Sequence, residues 1–484
     1  MANKKLSVLM ATAELAPLAK VGGLGDVAGS LPKALQKLNT SIKMIMPFYG
    51  AIDKKKFKTT LVKRNISVEV DLNKGKFDLY KTKLPGSSID IFLVKHKIFD
   101  GKVYIGKPKN RKIGDVERFV FFSKALVEAI KVMKWNIDLI HCHDWHTAIV
   151  PTFIDEYSIE DRKFSNIKTL LTIHNLSVQG RSGLDIVDYG GLHHDLTPAL
   201  MEDYYDKDGD LITLVRIGIL SADYVNTVSP NYAKEILTKE YGDGMEDFLA
   251  RRKKHLTGIV NGIDTDLFNP KKDKFIKKKY DLKTVLKNKP VNKKYLQTMS
   301  GLPTEDVPVL GLVSRLFDQK GLDILLPALK KTLKKYDFQL VVLGTGAPEH
   351  EKAFEDLAKI YPDKVKANIT FNVGLAQEIY GGSDFFLIPS RFEPCGLGQM
   401  IAMRYGTIPI ARQTGGLKDT VTHNKTGIVF KKYTQKEMIK AIEQSLKLYK
   451  NKGKFVKMIK TDMKEDFSWD RSAKEYLKLY NKLK

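Results

Sequence analysis

The sequence predicts an α/β protein of two units, each built on a parallel sheet of buried strands flanked by helices. Three observations carry this. Short apolar runs alternate with amphipathic stretches along almost all of the 484 residues, the pattern of repeated strand–helix–strand units. That length exceeds one ordinary core and suggests two domains. The two halves also begin alike, each with a strand followed by a loop that sets a lysine beside glycine.

In the first half the runs Leu6 to Met10, Ile42 to Met46, Ile89 to Val94, Ile137 to Cys142, Thr169 to Ile173 and Tyr224 to Val228 are the strand candidates. The first of them follows M-A-N-K-K, but its apolar part is too short for a secretory h-region and reads as a strand. The turn-rich, charged stretch from Asn261-Gly262-Ile263-Asp264 through Asn269-Pro270 and the lysines near 271–279 is taken as the hinge. This places a first domain at 1–262 and a second at 263–460. Beyond the hinge, Val309 to Val313, Phe338 to Leu343, Ile369 to Phe371, Phe385 to Ile388 and Thr407 to Ile410 repeat the theme.

The two lysine–glycine loops are Lys20-Val21-Gly22-Gly23-Leu24-Gly25-Asp26 and Gln319-Lys320-Gly321-Leu322-Asp323. Glycine lets the backbone approach a ligand closely, and lysine supplies a point charge. Neither loop matches a Walker A sequence or a complete G-x-G-x-x-G. Together, on two Rossmann-like domains facing each other across a cleft, they suggest a diphosphate held between them.

The richest stretch is 383–421. The apolar run Phe385 to Ile388 ends at Pro389 and is followed by Arg391, Glu393 and Pro394-Cys395-Gly396, then by a helical pattern through Leu397, Met400 and Met403. A buried strand feeding a glycine turn and a helix start is where α/β proteins place ligands, and the orphan N–H groups there suit an anion or a polyol. A second turn at Gly415-Gly416 sets the run apart from an ordinary strand–loop–helix connection with a surface ion pair.

His141-Cys142-His143-Asp144-Trp145-His146 has the residue types of a metal site. Along a strand end, however, successive side chains alternate in direction, and no second His/Cys cluster completes a ligand set. A strand ending in a polar loop that lines the cleft is the better reading. His174-Asn175 occupies the equivalent place after the next strand. No G-x-S-x-G elbow supports a serine hydrolase.

Composition narrows the class further. A net charge of +25 invites a nucleic-acid partner. Only 13 of the 81 basic residues are arginine, whereas base readout and bidentate phosphate clamps lean on arginine. The lysines are scattered without aromatic interleaving, so no nucleic-acid partner is expected. No run approaches the ~20 apolar residues of a membrane span, and no membrane association is expected. Two cysteines, Cys142 and Cys395, make no disulfide framework and suit a reducing, cytoplasmic setting.

In this order, the motifs K-V-G-G-L-G-D-V, H-D-W-H-T, H-N-L-x-x-Q-G, T-V-S-P, N-G-I-D, S-R-L-F-D-Q-K-G-L-D, P-S-R-F-E-P-C-G-L, T-G-G-L-K-D-T-V and F-S-W-D resemble those of the bacterial and plant glycogen (starch) synthases, glycosyltransferase family 5. The resemblance spans essentially the whole chain. It implies the two-Rossmann glycosyltransferase fold, with a C-terminal segment at 461–484 returning to the first domain. It also implies retaining transfer of glucose from ADP-glucose to the non-reducing 4-OH of an α-1,4-glucan.

By position, the resemblance gives Arg315 and Lys320 the donor diphosphate, with Lys20, the Gly22-Gly23 backbone and Asp26 on the opposing loop. Glu393 and the N–H groups of Gly396 and Leu397 would contact the glucose hydroxyls. His174, Asn175 and Asn261 would line the sugar pocket, Glu14 and Asp144 would face the acceptor, and Tyr380 would stack on the base. Two lysines and an arginine would stand in for a divalent cation, so no cofactor is expected beyond the substrate. Glu393 is assigned an electrostatic role rather than that of a nucleophile. The chain departs from the family pattern at Val178, Arg216 and Phe268, where an aromatic residue, lysine and tryptophan are usual. Other two-Rossmann transferases, such as sucrose or trehalose-phosphate synthases, and a nucleotide-sugar-binding regulator without turnover, are the alternatives.

Overall fold

A computed structural model of the chain describes residues 5–70, 73–106, 113–191 and 211–484. The chain divides into two compact units. Unit 1 comprises Met1–Val228, Ala233–Ile259 and Trp469–Lys484; unit 2 comprises Ser229–Tyr232 and Val260–Ser468. The segment that rejoins unit 1 therefore starts at Trp469, and the helix Lys452–Asp462 belongs to unit 2.

Unit 1 is built on a nine-stranded sheet of order β11-β10-β7-β6-β1-β2-β5-β4-β3. Its strands are β1 (Ser7–Ala11), β2 (Ser41–Pro47), β3 (Thr60–Val70), β4 (Asn73–Lys83), β5 (Asp90–Lys95), β6 (Leu139–His143), β7 (Lys168–Ile173), β10 (Tyr224–Thr227) and β11 (Leu256–Gly258). A two-stranded ribbon pairs β8 (Arg181–Gly183) with β9 (Leu211–Thr213). The central strands pair in parallel and are buried almost throughout, which is why they read as continuous apolar runs. The exception is the β3–β4 hairpin, which adds two antiparallel strands at one edge. Most of β3 faces solvent, and its mixed polar and apolar sequence gives no apolar run to find.

Unit 2 carries a six-stranded parallel sheet of order β14-β13-β12-β15-β16-β17. Its strands are β12 (Val309–Val313), β13 (Gln339–Leu343), β14 (Val365–Asn368), β15 (Phe385–Ile388), β16 (Ile408–Arg412) and β17 (Ile428–Phe430). The expected strand at Ile369 to Phe371 is corrected: the strand is Val365–Asn368, and Phe371 is 85% exposed. The β14 sequence V-K-A-N has only alternate apolar residues, as an edge strand tolerates, so the neighbouring I-T-F outranked it by hydrophobicity.

Helices cover both sheets with one apolar face each. In Leu322–Lys335 the leucines at 322, 325, 326, 329 and 333 are buried while Lys330, Lys331, Lys334 and Lys335 lie on the other side. Buried polar anchors fix the helix Val285–Met299. Lys289 Nζ donates to the carbonyls of Tyr380 (3.3 Å), Gly381 (3.0 Å) and Tyr405 (3.1 Å) and to Thr407 Oγ1 (2.6 Å). Burial pushes that amine down to about 7. No helix among the described residues is long and apolar enough to cross a membrane.

Candidate active site

In unit 2, three segments meet at the carboxyl ends of β12, β15 and β16. β15 runs into Pro389 and Ser390, and Gly321 (φ 71°) packs against this bend so closely that a Cβ there would stand 2.0 Å from the Pro389 carbonyl oxygen. Only glycine fits, and the contact sets Lys320 beside the loop. Lys320 Nζ lies 2.6 Å from Glu393 Oε2, which also accepts from Ser390 Oγ at 2.9 Å.

The second glycine turn clamps the same residue from behind. Gly415 (φ 43°) has no room for a Cβ, which would fall 1.9 Å from the Glu393 carbonyl oxygen, and Gly416 N–H donates to that oxygen at 3.0 Å. The Gly-Gly pair legible in the sequence is therefore what holds the Glu393 backbone. Gly396 (φ 74°) and Leu397 lead into the helix Gly398–Arg404, whose first-turn N–H groups lack intrahelical acceptors. A cavity of about 80 Å³ is lined by Ser314, Lys320, Ser390, Glu393, Gly396 and Leu397, among others.

Arg315 follows β12 and is exposed, its guanidinium over the Phe317 ring at 5.8 Å. Arg391, next to Glu393 in sequence, points elsewhere and pairs with Asp323 at 3.0 Å on the surface. Asn261 is buried; its backbone N–H donates to the Cys395 sulfur, and burial pushes that thiol up to about 12. The Asn261 Oδ1 is also buried and finds no hydrogen-bond partner among the described residues, a cost that a ligand donor would relieve. Tyr380 is only 5% exposed, with Phe386 tilted against its ring at 4.8 Å and Tyr405 at 6.2 Å. A base would meet only the sliver of ring left uncovered.

In unit 1, Glu14 is buried and its carboxylate is spoken for. Oε2 accepts from the backbone N–H groups of Val21 and Gly22, both at 2.7 Å, and Oε1 accepts from the Tyr104 hydroxyl at 2.7 Å. Glu14 thus braces the lysine–glycine loop and engages the Gly22 N–H. The physical reason is that a buried carboxylate needs donors, and the loop's amides are the nearest. Gly23 opens the helix Gly23–Lys37 with open space where a Cβ would stand. Lys20 Nζ, at the surface, meets Asp26 Oδ1 at 2.6 Å.

Asp144 follows β6 with φ 56°. Its Oδ1 accepts from the His174 N–H at 2.7 Å and the Asn175 N–H at 3.4 Å, so it ties down the loop after β7. Burial outweighs these bonds and pushes the carboxyl up to about 7. His174 Nε2 sits 3.0 Å from His143 Nδ1, and burial holds His174 down at about 3, so the ring is neutral. Asn175 Oδ1 accepts from Ser177 N–H and Oγ within its own turn.

Among the described residues no group of three or more His, Cys, Asp or Glu side chains is placed to hold a metal ion. The rings of His141 and His143, two apart on one strand face, lie 4.1 Å apart and tilted by 35°. His141 Nε2 lies 2.5 Å from Thr172 Oγ1, and its Nδ1 lies 2.8 Å from the Tyr480 hydroxyl on the C-terminal helix Trp469–Leu483. Tyr476 on that helix accepts from Asn226 at 3.3 Å. Sequence reasoning missed both tyrosines; their four-residue spacing, in register with Trp469 and Ala473, was the available signal.

Comparison with known proteins places this geometry. Residues 7–251 match the family model of the starch synthase catalytic domain, and residues 299–462 match glycosyl transferases group 1. The chain is 43% identical over 491 residues to a glycogen synthase of Thermosipho africanus, covering 99% of each. It belongs to the glycogen and starch synthase family.

A glycogen synthase of Fervidobacterium nodosum is 41% identical over 492 residues, again across 99% of both chains. Among solved structures, the catalytic domain of starch synthase IV from Arabidopsis thaliana, bound to ADP and acarbose, superposes with a TM-score of 0.89 at 34% identity over 99% of each chain. A sucrose-phosphate synthase from Thermosynechococcus elongatus shares the fold alone, with a TM-score of 0.60 at 17% identity. The chain is thus a glycosyltransferase with the two-Rossmann fold of this family.

Proposed function

We propose that the chain is a retaining glucosyltransferase that moves glucose from ADP-glucose to the non-reducing 4-OH of an α-1,4-glucan. The observation that carries this reading is the Lys320–Glu393 pair, set beside a helix start by two glycine clamps, in a chain of the glycogen and starch synthase family. Breaking the bond between the sugar C1 and the diphosphate oxygen leaves negative charge on the diphosphate and positive charge on the ring. Arg315 and Lys320 stabilise the first; the Glu393 carboxylate stabilises the second. The acceptor oxygen bonds C1 on the face the diphosphate leaves, and its proton goes to the departing phosphate oxygen.

In this proposal Gly396 and Leu397 offer N–H groups to sugar hydroxyls, and the orphaned Asn261 Oδ1 accepts from one. Lys20 adds a further cation for the diphosphate, with Asp26 as its partner before substrate arrives. His174, neutral and fixed by Asp144 and His143, hydrogen-bonds the sugar beside Asn175. Tyr380, backed by Phe386, supports the base edge-on. The preference for ADP over UDP rests on family membership and on the ADP held by the Arabidopsis relative, because stacking itself does not select a base.

Incubation with radiolabelled ADP-glucose and glycogen tests the proposal. Label in polymer that an α-1,4-specific hydrolase releases is expected, with a higher kcat/KM for ADP-glucose than for UDP-glucose. No incorporation from either donor sinks the activity; equal or better use of UDP-glucose sinks the donor choice alone.

A further inference from the structure

A cavity of about 620 Å³ opens in unit 2 between β17, the helix Gln435–Lys450 and the helix Lys452–Asp462. Its eleven lining residues include four lysines, Lys425, Lys447, Lys454 and Lys457, and no carboxylate. With 56 acidic residues and 68 lysines in 484, a random set of that size holds between one and two of each. The general lysine richness therefore does not account for this wall.

The charges are also left uncompensated. None of these four ammonium groups reaches a carboxylate among the described residues, whereas Lys440 on the first helix pairs with Glu437 at 2.8 Å and Lys452 on the second approaches Asp306 at 3.9 Å. Lys454 and Lys457 stand three residues apart on one helix face, a spacing at which like charges repel. The floor is apolar, formed by Ile428, Leu448 and Met458. The rim is set by the Gln444–Asn424 hydrogen bond at 2.9 Å and by Asn451, which caps the second helix by accepting from Lys454 N–H at 3.2 Å.

We propose that this cavity is a binding site for a phosphorylated small molecule, separate from the cavity lined by Lys320 and Glu393. Its size is that of a small-molecule pocket. Four flexible ammonium groups suit several phosphate oxygens without the planar geometry an arginine would impose. The apolar floor takes the carbon skeleton. A concave pocket of this volume does not fit a duplex or a membrane surface, which need an extended basic face.

Titration calorimetry of the full chain with inorganic tripolyphosphate, near physiological salt, tests this. Wild type is expected to bind one equivalent more than the Lys447→Ala/Lys454→Ala/Lys457→Ala variant, or to bind that equivalent at least tenfold more tightly. A control variant, Lys277→Ala/Lys278→Ala/Lys279→Ala, removes the same charge from the densest lysine run and is expected to titrate like wild type. The single variant Lys454→Gln, with far-UV circular dichroism, guards against loss of fold. Identical titrations of wild type and the pocket variants, or the same loss in the control, overturn the proposal. Transfer activity without tripolyphosphate is expected to be unchanged in the pocket variants, so this test stands apart from the glucosyltransferase reading.

Discussion

Lys320 Nζ stands 2.6 Å from Glu393 Oε2, with the two side chains only 20% and 9% exposed. Each holds the other in place: the lysine offsets the cost of a buried carboxylate, and the carboxylate keeps the ammonium aimed into the loop. In the proposed mechanism a diphosphate arriving at Lys320 competes with Glu393 for that charge. The anion that loses its cation then stands free to face a positively charged sugar ring.

Lys320→Ala and Arg315→Ala are each expected to lower kcat by about 10²–10³, the usual cost of removing one group aimed at developing negative charge. Lys320→Ala also strands Glu393, so its melting temperature falls while that of Arg315→Ala, an exposed residue, stays put. Turnover near wild type in either folded variant refutes the diphosphate assignment.

Glu393→Gln keeps the shape, the Ser390 contact and the backbone clamp from Gly416. Donor binding is expected to survive, since Lys320 is released to the phosphates, while kcat drops, because the carboxylate matters most when the ring is charged. Equal losses in donor affinity and turnover would reduce Glu393 to a ground-state contact.

With Arg315, Lys320 and Lys20 proposed to neutralise the diphosphate, transfer is expected to continue in EDTA. The measurement is initial rate with and without chelator, then with added Mg²⁺ or Mn²⁺. Activity abolished by EDTA and restored by either ion would show that the side-chain charges do not suffice.

Asp144 offers a test by pH. Its carboxyl rises from 3.8 unfolded to about 7 folded. The folded state therefore holds a proton that the unfolded state releases between those values, and stability falls as pH rises through that window. Asp144→Asn has no proton to lose and keeps an oxygen for the His174 N–H. Its stability relative to wild type is expected to climb between about pH 4 and 7 in urea unfolding; a flat difference would place the carboxyl near its ordinary range.

The sequence by itself determined the α/β class, the buried central strands and the glycine turns that shape the Glu393 loop. Parallel strands buried on both faces must be continuously apolar, and glycine is forced wherever two backbones touch. Both signals are local, so Phe385 to Ile388, Gly321 and Gly415-Gly416 announced themselves. The β3–β4 hairpin and β14 escaped because strands at or next to a sheet edge need no such run.

Only the tertiary structure decided what the carboxylates and histidines do. Glu14, Asp144 and Glu393 look alike in a motif, yet Glu14 is bound to the amides of Val21 and Gly22, Asp144 to those of His174 and Asn175, and Glu393 to Lys320. His141 meets Tyr480 across 339 residues of chain. A buried polar group takes whatever partner the fold brings within about 3 Å, and that choice is made by packing between distant segments, which no local spacing records.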